Sequence, residues 1–178
     1  MNLFVVRHGQ TEWNVLKRMQ GSADIPLNDR GIEQAHLTKE NLKDNNIDFI
    51  FCSPLIRAKQ TAKIIAIDKN LDVVYDERLR ERDYGEFEGT SKSSFDYNEF
   101  WAYNKNLTYT KAENVQDFFD RIYKLLDELK TKYPGKNILI VTHAGVVKAI
   151  ECYANGMMND EEIGPFLPDN CSVTKYII

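Results

Sequence analysis

The chain has 178 residues, 43% of them hydrophobic, and a formal net charge of −4. That length can bury one substantial core, and the negative balance excludes general binding to nucleic acid or to anionic membrane surfaces, so any anion site must be a local gathering of arginine. The apolar run before Arg7 is too short for a signal peptide or a membrane span, and Cys52, Cys152 and Cys171, without metal-ligand spacing, are expected as reduced thiols in a cytoplasmic protein.

Leu3-Phe4-Val5-Val6 reads as a short buried strand that stops abruptly at Arg7-His8-Gly9. A strand ending this way delivers a cation and an imidazole to the carboxyl edge of a sheet, where open α/β sheets bind ligands. Thr11 to Ile25 is expected as a polar loop containing Trp13, Asn14, Arg18, Gln20 and Gly21. Asn28 then caps a helix reaching about Lys43, with Asp29 at its positive end; His36, among polar neighbours, is expected to be solvated. Phe49 to Cys52 is a second strand. Ser53-Pro54 predicts the start of the next helix, with Arg57 near the end of its first turn and able to reach the strand edge and the helix N-terminus.

Leu71 to Tyr75 is a third strand, followed by a charge-dense stretch from Arg78 to Gly89 that includes Arg80-Glu81-Arg82. The aromatic segment from about residue 86 to 112 is expected as a short, partly helical cap over the sheet edge, with packing into the core as the alternative. Asn114 starts a helix with a broad apolar face (Val115, Phe118, Phe119, Ile122, Leu125, Leu126, Leu129), ended by Pro134-Gly135. Ile138 to Val141 is a fourth strand leading to Thr142-His143, Gly145 to Tyr153 a helix, and Val173 to Ile178 an edge strand. Alternating strands and helices without repeats predict one α/β domain over residues 1–178: three layers, with a mainly parallel sheet and an antiparallel edge strand. If the first four strands are parallel, their carboxyl ends converge.

Two imidazoles, several arginines and a carboxylate would then share one edge. Two His and a carboxylate also describe a metal triad, but Arg7 beside His8 and Arg57 nearby would repel a divalent cation. The same guanidinium groups match phosphoryl oxygens with paired hydrogen bonds. An imidazole in such a pocket can attack phosphorus, dividing one displacement into two. The leaving alkoxide needs a proton, for which Glu81 leads and Asp83 and Glu86 compete. A carboxyl beside a phosphate dianion is held protonated by like charge and can later take a proton from water.

Arg7-His8-Gly9-Gln10-Thr11, Asn14, Gln20-Gly21, Pro26-Leu27-Asn28, Ser53-Pro54 with Arg57-Ala58, Leu79 to Gly85 and Thr142-His143-Ala144-Gly145 together resemble the histidine phosphatase superfamily, also called phosphoglycerate-mutase-like. The likeness covers nearly the whole chain. It implies that His8 is the phosphorylated nucleophile, Glu81 the proton donor, and Arg7, Arg57 and His143 the phosphoryl-binding groups, with Asn14, Gln20, Gly21 and Ala144 around the substrate. It implies no metal and no cofactor. Ala144 departs from the glycine of many members, and Asn28 from a usual threonine. Longer, mutase-type members carry a larger cap and a tail beyond the last strand. A chain stopping at Ile178 therefore favours a phosphatase, similar to α-ribazole and broad-specificity phosphatases. The cap has no arginine, which favours a small phosphate monoester over a bisphosphate. Cofactor-dependent mutase and silent phospho-ligand binder are the alternatives, and a homodimer is open.

Overall fold

A computed structural model describes residues 1–178. In chain order the elements are β1 (Asn2–Arg7), α1 (Glu12–Val15), α2 (Asp29–Asn41), β2 (Phe49–Cys52), α3 (Ile56–Ala66), β3 (Val73–Tyr75), α4 (Tyr97–Phe100), α5 (Val115–Lys132), β4 (Asn137–Thr142), α6 (Ala144–Asn155), α7 (Asp160–Ile163) and β5 (Val173–Ile177). The five strands form one sheet in the order β3-β2-β4-β1-β5. β1, β2, β3 and β4 run parallel; β5 pairs antiparallel with β1 at the edge.

The central strands β2, β4 and β1 are buried on both faces, and the period-2 alternation of strand side chains separates the two cores. Phe4, Val6, Ile50, Cys52, Leu139 and Val141 pack with Ala58, Ala62 and Ile65 of α3 and with Leu42. Leu3, Val5, Phe51, Ile138 and Ile140 meet the larger core, supplied by Phe118, Phe119, Ile122, Leu125 and Leu126 of α5 and by α6. The expected three-layer α/β/α arrangement, with its antiparallel edge strand, is therefore the observed one.

Local details depart from the sequence reading in several places, the unforeseen short helix α7 among them. The stretch after Thr11 contains a helical turn, α1, closed by a capping box between Thr11 and Asn14; four residues are too few to show a helical period. The third strand begins at Val73, not Leu71. The helix expected from Ser53-Pro54 starts only at Ile56, because the Ser53 hydroxyl accepts from Leu55 N at 3.3 Å in a local turn and bonds His143. Its N-terminal cap comes from a distant loop, where Asp24 Oδ1 accepts from Ile56 N at 2.6 Å. Finally, Phe100 and Trp101 are almost fully buried in the larger core, so the aromatic segment packs into it as well as flanking the sheet edge. His36 is exposed, as expected, and all three cysteines are buried and unpaired.

Candidate active site

β1 and β4 are neighbours in register, with Arg7 opposite Thr142. The residues that follow, His8 and His143, therefore leave the sheet side by side, and their ring centroids lie 5.2 Å apart. Thr142 Oγ1 donates to Leu79 O at 2.8 Å, which draws the loop after β3, and with it Glu81, to the same edge. A cavity of about 770 Å³ opens there, lined by Arg7, His8, Asn14, Gln20, Arg57, Glu81 and Ala144. His143 and Gly21 are not in that lining. His143 is completely buried beside His8, and Gly21 offers its carbonyl to Arg57 at 2.9 Å.

His8 is 3% exposed, and its Nδ1 lies 2.7 Å from the carbonyl oxygen of Gly9. A carbonyl only accepts, so Nδ1 carries the hydrogen and Nε2 holds the lone pair. Burial, then Arg57 and Arg7, push the His8 pKa well below its ordinary 6.5, which keeps the ring neutral. Gly9 itself must be glycine: a Cβ there would lie 2.5 Å from the carbonyl oxygen of Gly31 in α2, so the turn after His8 seats directly on helix backbone. His143 is lowered in the same direction by burial and by Arg57. Its Nε2 shares a 2.6 Å hydrogen bond with Ser53 Oγ.

Arg7 and Arg57 are buried, and neither belongs to any ion pair of the structure. Arg57 donates to the carbonyls of Gln20, Gly21 and Ala23, organising the loop that follows α1. Arg7 Nη1 donates to Pro168 O at 2.6 Å. Burial lowers both guanidinium pKa values, that of Arg57 to about 10, so both are charged at neutral pH. Arg7 Nε, Arg57 Nε and His143 Nδ1 are buried without a hydrogen-bond partner. Two of these, the Nε–H groups of Arg7 and Arg57, are unmatched donors on residues that line the cavity.

Glu81 is 7% exposed and held at both oxygens: Oε1 accepts from Arg82 N at 2.9 Å and Oε2 from Gly145 N at 3.0 Å. Gly145 leaves room for this approach, since a Cβ there would lie 2.2 Å from Glu81 Oε1 and 2.6 Å from the Trp101 ring. Ala144 opens α6 with no left-handed backbone, so its departure from glycine causes no strain. The flanking arginines of the charged run have other work. Arg82 is fully buried, stacks 3.8 Å from the centre of the Phe100 ring and donates to the carbonyls of Phe100 and Glu113, while Arg80 pairs with Glu77. Of that trio only Glu81 reaches the cavity, so the loop after β3 contributes a carboxylate and no cation.

Sequence reading missed the cavity's far wall. Asn170 Nδ2 donates to the His8 carbonyl at 2.9 Å and to Asn14 Oδ1 at 3.3 Å. Asn14 Oδ1 in turn accepts from Thr11 N, and Thr11 Oγ1 donates to Gln20 Oε1 at 2.8 Å. Tyr84, Ser91, Lys92, Ser93 and Tyr97 supply the cap side. Two backbone bonds between Met19 and the Gly89-Thr90 pair join that side to the first loop. No three His, Cys, Asp or Glu side chains gather to ligate a metal.

This geometry coincides with the likeness to known proteins. The family model described as histidine phosphatase superfamily (branch 1) matches residues 3–178. The uncharacterized phosphatase PhoE of Bacillus subtilis is 39% identical over 82% of this chain and 73% of its own length. The phosphoglycerate mutase-like protein 4 of Arabidopsis thaliana is 35% identical over 83% of this chain and 68% of its own. The crystal structure of the alpha-ribazole phosphatase from Shigella flexneri superposes with a TM-score of 0.82 at 30% identity, covering 98% of this chain and 89% of that one. With its strand ends, paired imidazoles and family match in agreement, the chain belongs to the histidine phosphatase superfamily, branch 1, and is a phosphatase-type enzyme.

Proposed function

We propose that the chain hydrolyses small phosphate monoesters through a phosphohistidine on His8, with Glu81 as general acid and then base. One observation carries the reading: two buried guanidinium groups that belong to no ion pair flank an imidazole whose lone pair is on Nε2. A buried unpaired charge is costly, and a phosphoryl group offers three anionic oxygens to match it. In this reading His8 Nε2 attacks phosphorus while the ester P–O bond breaks, and the leaving oxygen takes the Glu81 proton. Water then attacks phosphorus, Glu81 accepts its proton, and the P–N bond breaks to release inorganic phosphate. Arg7, Arg57 and His143 stabilise the charge on the equatorial oxygens. Asn14 and Gln20 border the phosphoryl site, Gly21 shapes it through Arg57, and Ala144 starts the helix beside it. The segment 86–112 acts as the cap, through Ser91, Lys92, Ser93 and Tyr97. Guanidinium groups supply the charge a metal otherwise would, so turnover needs no metal and no cofactor. No helix is long and apolar enough to cross a membrane.

The test is rapid quench during turnover. Acid-labile phosphate should appear on His8, and His8→Ala should reduce both label and turnover to background; label on Cys52, Ser53 or any other side chain sinks the mechanism. The mutase-like Arabidopsis relative supports a second reading, phosphoryl transfer between hydroxyls. With 3-phosphoglycerate and a trace of bisphosphate, inorganic phosphate should form faster than 2-phosphoglycerate; the reverse order selects the mutase.

A further inference from the structure

Lys148 lies on α6, five positions beyond His143, and has no exposed surface. Val146, Val147, Ala149 and Ile150 around it are the apolar residues a helix packed on a sheet requires. A lysine there is expensive to bury unless its ammonium is fully bonded. It belongs to no ion pair; instead Nζ donates to the carbonyls of Ile163 at 2.6 Å, Gly164 at 2.7 Å and Phe166. Three acceptors match the three hydrogens of an ammonium, whereas a neutral amine could serve only two. The rings of Trp101 and Tyr97, both from the cap, lie 5.2 and 5.8 Å from Nζ and favour a cation there. Burial, then Lys92, pull the Lys148 pKa down to about 7; Glu81 and Cys152 act against that, and Arg7 with it.

The three carbonyls open the stretch that becomes the far wall of the cavity. Two residues past Phe166, the Pro168 carbonyl accepts from Arg7, and Asn170 then donates to the His8 carbonyl. Cys171 N donates to Arg7 O at 3.0 Å. Residues 164–172 contain no helix or strand. Its beginning is joined to α7 by one backbone bond, Phe166 N to Glu162 O at 3.2 Å, and Lys148 supplies the only side-chain hydrogen bonds to residues 163–166.

We propose that Lys148 is a positioning residue of the active site: its ammonium fastens Ile163, Gly164 and Phe166 and thereby sets Pro168 and Asn170 against Arg7 and His8. The catalytic consequence rests on the phosphatase reading above, while the clamp can be measured without turnover. Lys148→Met removes the charge at similar length, and Lys148→Arg keeps it. The readouts are amide hydrogen exchange over 164–171, the Kd for inorganic phosphate, and kcat and KM for p-nitrophenyl phosphate.

Lys148→Met should speed exchange over 164–171 tenfold or more relative to α5, and should weaken phosphate binding and kcat/KM tenfold or more. Lys148→Arg should recover most of each loss, as a group that acts only by filling space would not. A folded Lys148→Met with wild-type exchange and phosphate affinity overturns the proposal, as does a Lys148→Arg no better than it. Should Lys148→Met not fold, the wild-type protein decides. Protection of 164–171, corrected for intrinsic exchange and referred to α5, should fall as pH rises from 6 to 9, and constant protection overturns the clamp. If the wild type turns over no phosphomonoester while Lys148→Met still loosens the segment and weakens phosphate binding, the phosphatase reading fails and the clamp stands.

Discussion

His8 and His143 stand at the ends of two strands paired residue for residue through the middle of the sheet. Lys92, Tyr97 and Asn170, across the same cavity, stand on short turns and irregular backbone. The floor is held by backbone ladders that any suitable strand sequence would form; the walls are held by individual side chains. Asn170 bridges two loops, Arg57 ties down residues 20–23, and Lys148 gathers three carbonyls. In the proposed mechanism the two imidazoles therefore sit on paired strand ends, while Glu81 and the groups meeting the rest of a substrate sit on loops. Substitutions on the floor should affect kcat strongly, and substitutions on the exposed wall should affect KM mildly.

The largest contrast is expected at Glu81. Losing a general acid costs about 10²–10⁴-fold, so Glu81→Gln should slow phosphorylation of His8 by an alkyl phosphate to that extent. A p-nitrophenyl ester leaves as a stable anion and should suffer far less in that step. Pre-steady-state release of nitrophenol separates it from phosphoenzyme hydrolysis, which also loses its base. Equal slowing for both esters would make Glu81 a positioning group, and a leaving-group dependence in Asp83→Asn or Glu86→Gln would move the role there.

Gly145→Ala tests how tightly the floor must fit. The new methyl would fall 2.2 Å from Glu81 Oε1, so the carboxylate must shift while the strands stay in place. A misplacement of about 1 Å can cost about 10²-fold in rate, and the fall should appear in kcat with far-UV circular dichroism native, while the Trp101 ring, also within 2.6 Å of the new methyl, shifts its near-UV signal. Unchanged kcat would mean that the Gly145 N–H to Glu81 bond is not part of the working geometry.

The pH profile reads the electrostatics of the floor. The His8 pKa is held well below 6.5 by burial and by Arg57 and Arg7. Protonation removes the nucleophilic lone pair, so the acid limb of kcat/KM should lie below pH 6.5. Arg57→Gln removes the larger of the two charge effects and should move that limb to higher pH. A limb unmoved, or moved to lower pH, would assign it to another group.

The smallest effect belongs to the wall. Lys92 is exposed and its Nζ lies 3.8 Å from the centre of the Tyr97 ring. An exposed contact of this kind is worth about 0.5–1 kcal/mol, so Lys92→Ala should raise KM about two- to fivefold and leave kcat near wild type. A large fall in kcat instead would place Lys92 with the reacting groups.

The sequence by itself determined the alternation of strands and helices, the antiparallel edge strand, and the convergence of Arg7, His8, Arg57 and Glu81 on one cavity. These are local or periodic signals: an apolar run ended by ionisable residues, and a helical stripe closed by Pro-Gly. Only the tertiary structure decided the rest. Arg80, Glu81 and Arg82 are adjacent and all charged, yet one pairs at the surface, one enters the cavity and one is buried against Phe100. Ser53 looked like a helix cap and instead bonds a histidine 90 positions away, while α3 is capped by Asp24. Asn170 and Lys148 carry no motif because their partners are mostly backbone carbonyls, which every residue possesses. A contact with a carbonyl leaves no trace in the identity of the residue that offers it. Such partners become known only when the chain has returned through the fold to bring residue 170 back to residue 8.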